Sequence, residues 1–346
     1  MSAETKPCNV GGQAVIEGVM MRSPRSFAIA CRRPSGELVL REERWRSLSE
    51  RHRFLRWPLL RGGVVLLESL MNGLSALTFS AREQQRATAA PEPATASDGK
   101  PAGAARAAED RAGLTGVLVV SLLGALLVFK ALPHLLTWLL GLRTSSIGFH
   151  LVDGAFKAVI LVAYVGGIGL LKDVRRVFMY HGAEHKAIWT YEQGLPLDVA
   201  HARQQSRFHP RCGTSFLVLV ILISILLFAL LLRHPIASSA ILDNIIKILI
   251  KVPLMFPVAG LGYEAIKLSG RFRRSPLVRA LVAPGMLLQR LTTREPTDDQ
   301  LEVALLALQK TLWREQVAEE AAGAIEVFGS YAEALPTVRR DQPAAA

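Results

Sequence analysis

The sequence is short of cysteine and of aromatic residues, and each shortage narrows what the protein can be. Its cysteines, Cys8, Cys31 and Cys212, lie far apart without a C-x-x-C pair. This excludes a disulfide framework and favours a reducing compartment. Aromatic residues make up 7% of the chain although 50% of it is hydrophobic. The apolar content is therefore aliphatic, as it is in membrane helices. The N-terminal residues lack a basic flank followed by an apolar run, so no cleavable signal peptide is expected.

Acidic residues are outnumbered, with 41 Lys and Arg against 29 Asp and Glu and a net charge of +12. Such an excess can indicate nucleic acid, but in a membrane protein Lys and Arg gather in cytoplasmic loops. No aromatic-rich basic motif of the RNA-binding kind is present. We therefore expect the lipid bilayer as partner and no specific nucleic acid. A cytoplasmic protein partner stays open, and the sequence does not predict the oligomeric state.

Four apolar stretches predict about four transmembrane helices, since a span needs about 20 apolar residues. They are Leu114–Leu142, about Leu151–Leu171, Thr214–Leu232 and about Ile241–Tyr263.

Segment 58–82 is also apolar, but Arg61, Glu68 and Asn72 interrupt it. A charge at the bilayer centre costs roughly 2.5–3.5 kcal/mol. We therefore expect an interfacial or membrane-packed helix there rather than a clean span.

The predicted fold is mainly α, a polytopic membrane protein with cytoplasmic amphipathic helices and a small N-terminal β-hairpin in residues 28–46. Basic residues are concentrated in 172–213 and after 264, which predicts a multi-pass bacterial inner-membrane protein with both termini cytoplasmic. The remaining boundaries follow: a cytoplasmic N-terminal segment 1–57, a disordered linker 83–112, a membrane domain 113–264, cytoplasmic C-terminal helices 265–334 and a disordered tail 335–346.

The motif with the clearest chemistry is H-x-x-E-H, formed by His181, Glu184 and His185. On a helix the two histidines lie at i and i+4 on one face and can share a zinc ion. Glu184 is then the candidate general base. The alternative is an amphipathic helix with two surface histidines and a solvated glutamate.

A second cluster, R-F-H-P-R-C-G-T, places His209 and Cys212 three residues apart. Both side chains are zinc ligands, so the 172–213 loop contains four potential ligands. Four ligands suffice for either a closed structural site or an open catalytic one. Taken alone, His209 is more typical of a capping or surface group.

Two further carboxylates are candidates for the same site. Glu17 lies among apolar residues in the glycine-rich stretch Gly11–Arg22, which predicts a ligand or base, or an exposed side chain on a strand. Glu264, after the last apolar stretch, is a candidate distant metal ligand, with pairing to Lys267 as the alternative.

The segments GGQAVIEGVMMR, YHGAEHKAI, HPRCGTSFL and LTTREPTDDQLEVAL together resemble the YqhQ-like family of bacterial membrane proteins. The resemblance runs from about Asn9 to Arg314 without the linker. It implies a metal-dependent enzyme in which His181, Glu184, His185, His209 and Cys212 act together. It also implies that Gly11–Arg22 and Thr292–Pro296 belong to one assembly.

The sequence thus predicts a membrane enzyme that depends on zinc or a similar metal, of the hydrolase or peptidase class, with its site on the cytoplasmic side. The alternative is a non-enzymatic membrane scaffold or assembly factor with a structural Cys/His metal clip. Lys130, Lys247 and Lys251 also suggest a transporter. This third hypothesis is weaker, since the apolar stretches show neither acidic partners nor inverted repeats.

Overall fold

The computed structural model describes residues 10–45, 47–48, 52–57, 60–88, 116–117, 119–144, 146–271, 275–316 and 325–339. Within them the protein is mainly helical with one small antiparallel sheet. The chain divides into two compact units. The first contains residues 1–89, 165–219 and 259–346, and the second contains residues 90–164 and 220–258.

The sheet has five antiparallel strands in the order β1-β2-β3-β4-β5. They are β1 Gly11–Val15, β2 Gly18–Arg22, β3 Ser26–Arg32, β4 Leu38–Arg44 and β5 Ile325–Phe328. The predicted hairpin is confirmed as β3 and β4, where Arg32 is opposite Leu38 and Gly36 takes a positive φ of 93° in the turn. The glycine-rich stretch adds β1 and β2, and the C-terminal region adds β5 beside β4.

The apolar and amphipathic patterns predict the longer helices, but they do not predict those over residues 199–203 and 331–339. The helices in the described residues are numbered along the chain. They are α1 Leu60–Thr88, α2 Val119–Leu139, α3 Ile147–Ile168, α4 Lys172–Glu192, α5 Val199–Arg203, α6 Gly213–Leu231, α7 Ala240–Arg271, α8 Pro276–Thr292, α9 Asp298–Gln316 and α10 Tyr331–Arg339. Five of them, α1, α2, α3, α6 and α7, are long and apolar enough to cross a bilayer. These helices are consistent with a membrane protein.

Two predicted boundaries were wrong. Helix α1 continues to Thr88, into the predicted linker, because Glu83 binds Arg33 and Gln84 donates to the Arg32 carbonyl. The rest of that linker lies outside the described residues. Residues 335–339 of the predicted tail complete α10, since Val338 is buried in the core of the first unit. The remainder of the tail also lies outside the described residues.

The sheet is covered on both faces, as its alternating side chains require. One face presents Met21, Ala30 and Leu40 to α4 and α9, and it forms the larger core. The predicted apolar positions of α9 (Leu301, Ala304, Leu305 and Leu308) are all buried there. The other face presents Met20, Ile29 and Val39 to Ala76 and Phe79 of α1.

In the second unit, aliphatic helices enclose a small set of buried charges. Asp153 of α3 pairs with Lys157 one turn later at 2.6 Å and with Lys251 of α7 at 3.5 Å. The Lys251 ammonium also contacts Nδ1 of His134 at 2.9 Å. All four side chains are at least nine-tenths buried. A second pair, Asp243 and Lys247, lies nearer the start of α7, with the two groups 2.9 Å apart.

These pairs correct the expectation that the intramembrane lysines lack acidic partners. The acids were present in the sequence at helical i to i+4 spacing, which places Asp153 beside Lys157 and Asp243 beside Lys247. Only the packing of α3 against α7 brings Lys251 to the same carboxylate.

Candidate metal centre

Helix α4 positions the H-x-x-E-H motif by burying the neighbouring face. Tyr180, Ala183 and Ala187 recur at helical spacing and pack in the larger core. Burial of these side chains fixes the rotation of the helix about its axis, so that His181 and His185 lie at the edge of the buried face. The helix ends at Glu192 with Gln193 as its C-cap, and Gly194 follows with a positive φ of 67°, which suits the residue after a C-cap.

His181, His185 and Cys212 converge at one point, as three of the predicted ligands. Their ligand atoms all lie within 4.8 Å of one another. His181 Nε2 is 3.2 Å from Cys212 Sγ, and the two imidazole centroids are 4.5 Å apart. The two histidines therefore lie on one helical face, as the i and i+4 spacing predicts. Cys212, from the loop before α6, is the third potential ligand.

Both histidines are fixed from behind by backbone carbonyls. His181 Nδ1 is 2.9 Å from the Thr292 carbonyl oxygen, and His185 Nδ1 is 2.6 Å from that of Arg207. Because a carbonyl only accepts, each Nδ1 donates its proton and each Nε2 keeps a lone pair. Metal-binding histidines are commonly held in this way. Burial also lowers the pKa of His185.

Cys212 directly precedes α6, so its sulfur lies at the helix N-terminus. The Thr214 backbone N–H donates to Sγ at 3.4 Å, and the Thr214 hydroxyl lies 3.2 Å from it. Two imidazole nitrogens and one sulfur are donors that zinc prefers, and three protein ligands leave a fourth position open. The donor set therefore fits a divalent zinc-like ion.

Glu184 is buried beside these ligands. Burial raises the pKa of its carboxyl, while the imidazoles of His181 and His209 and the Gly12 N–H act in the opposite direction. A Cβ on Gly12 would lie 2.8 Å from Glu184 Cγ. The glycine in β1 is therefore what allows this carboxylate to fit against the strand.

His209 borders the centre but faces a different way. Its Nδ1 accepts from the Arg211 N–H at 3.3 Å, and its Nε2 lies 3.5 Å from Glu192 Oε1. Its ring centroid lies 4.7 Å from that of Trp189 with the two planes tilted by 59°. The side-chain amide of Gln289 in α8 accepts from its backbone N–H and donates to its carbonyl, both at 2.8 Å. The structure thus uses His209 to hold the loop that carries Cys212.

Glu17 lies in the turn between β1 and β2, with a positive φ of 50°. Its carboxylate binds the Arg176 guanidinium, and the Tyr180 hydroxyl donates to it at 3.4 Å. Both partners belong to α4. The structure therefore gives Glu17 the position of a tether between the sheet and the helix that carries the histidines.

Glu264 is not brought to the histidine group. Both of its carboxylate oxygens lie 2.7 Å from the Arg61 guanidinium of α1. The alternative prediction, an ion pair between Glu264 and Lys267, is not found among the described residues either.

Sequence reasoning missed the residues that support the ligands. Thr292 and Arg207 act through their backbone carbonyls, and Gln289 acts through its amide, so none has a metal-ligand signature. The one available signal was the family resemblance, which joined Thr292–Pro296 to the site. That segment does lie on α4, where Arg294 N–H donates to the Phe178 carbonyl at 2.9 Å.

Gly182 should be intolerant of a side chain because α4 and residues 292–296 touch there. A Cβ on Gly182 would lie 2.1 Å from the Arg294 carbonyl oxygen. We expect Gly182→Ala to lower the free energy of unfolding by about 1–3 kcal/mol, the usual cost of overpacking. Thermal unfolding in detergent measures this. Gly166→Ala is the control, since nothing lies within 4 Å of its Cβ position; equal melting of the two variants would contradict the close contact.

Comparisons with known proteins place the chain in a family. A family described as "Protein of unknown function (DUF1385)" matches residues 57–314. The chain belongs to this family. It is also 31% identical over 324 residues to a protein of Bacillus subtilis (strain 168) named "Uncharacterized protein YqhQ", covering 92% of this chain and 97% of that protein. The predicted YqhQ-like membership is thus confirmed. No solved structure matches the chain.

Proposed function

We propose that this protein is a zinc-dependent membrane hydrolase in which His181, His185 and Cys212 hold the ion. The observation that carries the proposal is the pair of carbonyl-fixed imidazoles whose Nε2 atoms face one buried sulfur. Unliganded surface histidines have no reason to be fixed in the same tautomer around a cysteine. When bound, a zinc ion would supply Lewis acidity at this point.

Glu184 supplies the proton transfer in this proposal. It is the buried carboxylate nearest in sequence to both histidines, and α4 fixes its backbone rigidly between them. Its role is to accept a proton from the attacking water and return it to the leaving group. Burial keeps bulk water from competing for the carboxylate.

Metal analysis of the untagged protein tests the proposal. Purified in detergent without chelator, the wild type should contain about one zinc or similar ion per chain. His181→Ala/His185→Ala should contain none while remaining folded by circular dichroism.

The matched control is His201→Ala, which changes a half-exposed histidine that pairs with Asp198 at 2.8 Å. It should keep the metal of the wild type. A folded wild type with no more metal than the double variant would contradict the site.

A structural clip is the second candidate, because the three ligands join α4 to the loop before α6. Chelation separates the two functions. An enzyme whose three ligands leave one position open should stay folded without its ion and take zinc up again. A clip should unfold, as small structural zinc sites do.

The sheet constrains how the chain crosses the membrane. Strand β5 pairs with β4, with Leu38 opposite Phe328, so both ends of the chain meet in one sheet. A sheet cannot be divided by a bilayer, since backbone groups in lipid need partners. In this proposal an even number of the five apolar helices therefore crosses between β4 and β5.

Helix α1 is the one that does not cross in this proposal. Over its length it is bound to the sheet and its neighbours: Glu68 accepts from Leu48 N–H, Phe79 packs in the sheet core, and Glu83 binds Arg33. Four helices then cross, in agreement with the sequence prediction. Both termini and segment 172–213 lie on the cytoplasmic side, where the basic residues gather.

Cysteine accessibility tests this topology in intact bacterial cells. In a Cys8→Ser chain, Thr95→Cys should be hidden from an impermeant maleimide until the membrane is permeabilised, whereas Ser238→Cys should be labelled from outside. Cys31 is buried, and burial raises the pKa of its thiol to about 12, so it should label little. The Cys8→Ser chain without an added cysteine corrects for any labelling of Cys212. External labelling of Thr95→Cys would show that α1 crosses.

A further inference from the structure

An apolar groove of about 850 Å³ lies beside the metal centre. One wall is the outer face of α8, including Ala283, Met286 and Leu287, and the other includes Trp189 and Phe208. Leu287 is 57% exposed there, although it is a large aliphatic side chain. The groove is thus an unfilled apolar surface of the kind that binds a ligand.

Among the described residues that line the groove, the charged ones are all positive: they are Arg211, Arg279 and Arg290. Arg211 is already paired with Glu192. Within the described residues, Arg279 and Arg290 have no carboxylate partner. Both lie on one stripe of α8, three helical turns or roughly 16 Å apart, with the apolar residues between them.

The inner face of α8 belongs to the metal centre. Gln289 holds the backbone of His209, and the Thr292 carbonyl holds His181. A Cβ on Gly285 would lie 2.5 Å from Ser215 Cα, which shows how closely α8 packs on the start of α6. The same helix therefore forms the groove and supports the ligands.

Both walls of the groove adjoin the ends of candidate membrane helices. Arg211 directly precedes α6, whose apolar window begins at Gly213, and α8 follows soon after Leu268, where the apolar window of α7 ends. With α6 and α7 crossing the bilayer as proposed, the groove opens at the depth of the lipid head groups.

We infer that the groove binds an amphiphile with an aliphatic chain and an anionic head group of the phospholipid kind. Ala283, Met286 and Leu287 receive the chain, and the guanidinium group of Arg279 or of Arg290, at either end of these apolar residues, receives the head group. That this amphiphile is the substrate class rests on the proposed function; its binding does not.

Native mass spectrometry of the full chain tests the inference with two probes, phosphatidylglycerol and phosphatidylcholine at equal concentration. We expect the wild type to retain phosphatidylglycerol about tenfold more than phosphatidylcholine. Arg279→Gln/Arg290→Gln should reduce this preference to about equal retention. Arg233→Gln, which removes an exposed arginine of the second unit, is the matched control and should keep it.

Trp189 lines the groove, so its fluorescence reports whether the lipid binds there. Phosphatidylglycerol with brominated chains should quench its fluorescence, and the quenched fraction should be absent in Trp189→Phe. Three results would overturn the inference. The wild type could retain the two lipids equally, the preference could survive in the double arginine variant, or the groove could be covered in a lipid-free dimer. The same samples are analysed for zinc: a metal-free wild type that still prefers phosphatidylglycerol overturns the proposed function and leaves the groove assigned.

Discussion

Glu184→Gln is expected to keep the metal and lose turnover by roughly 10²–10⁴-fold, the contribution typical of a positioned general base. Glutamine preserves the size of the side chain and can still accept from the Gly12 N–H, so the helix and the ligands should stay in place. What it loses is the ability to take a proton. The variant should therefore bind its substrate without converting it.

Because the variant should bind its substrate without converting it, the substrate should copurify with the variant and can be identified even though it is not known beforehand. Lipid extracts of wild type and Glu184→Gln, purified from the same membranes, are compared by mass spectrometry for an amphiphile enriched in the variant. Added wild type should consume that species, and added variant should not.

The control for this experiment is Glu37→Gln, which changes an exposed carboxylate that binds Arg33 and contacts none of the three ligands. It should retain most of the turnover. Equal consumption by wild type and Glu184→Gln would remove Glu184 from the mechanism. Loss of zinc in Glu184→Gln would show that its role is structural.

Asp153→Asn is expected to lower the stability of the second unit by roughly 3–5 kcal/mol, the cost of leaving a buried charge without its partner. Asp153 is 2% exposed and is the carboxylate shared by Lys157 and Lys251. Removing its charge leaves two buried ammonium groups facing each other. Thermal unfolding in detergent should show a drop of several degrees.

Asp173→Asn is the matched control, because Asp173 is exposed in the first turn of α4. Its loss costs only a few tenths of a kcal/mol through the helix dipole. A further variant, Asp153→Asn/Lys251→Met, should recover part of the lost stability by removing one unpaired charge. No difference between Asp153→Asn and Asp173→Asn would mean that the lysines are already neutral or solvated.

The candidate site shows how far local sequence spacing reaches. His181 and His185 lie on one helical face because they are four residues apart in a helix. This spacing is local, so the sequence alone predicts it. The choice between His209 and Cys212 was not foreseeable, since both occupy the same short loop. Gln289 and Glu192, distant in sequence, turn His209 aside and leave Cys212 facing the histidines.

The sequence alone determined the long apolar helices, the β3–β4 hairpin and the aliphatic character of the chain, because periodicity, turn residues and composition act between near neighbours. Tertiary structure alone decided that β5 joins β4, that Glu264 binds Arg61, and that Asp153 meets Lys251. It also decided that Gly12 must be small for Glu184 to fit. Each of these contacts joins residues far apart in the chain, so its energy depends on the packing of whole elements rather than on any local pattern.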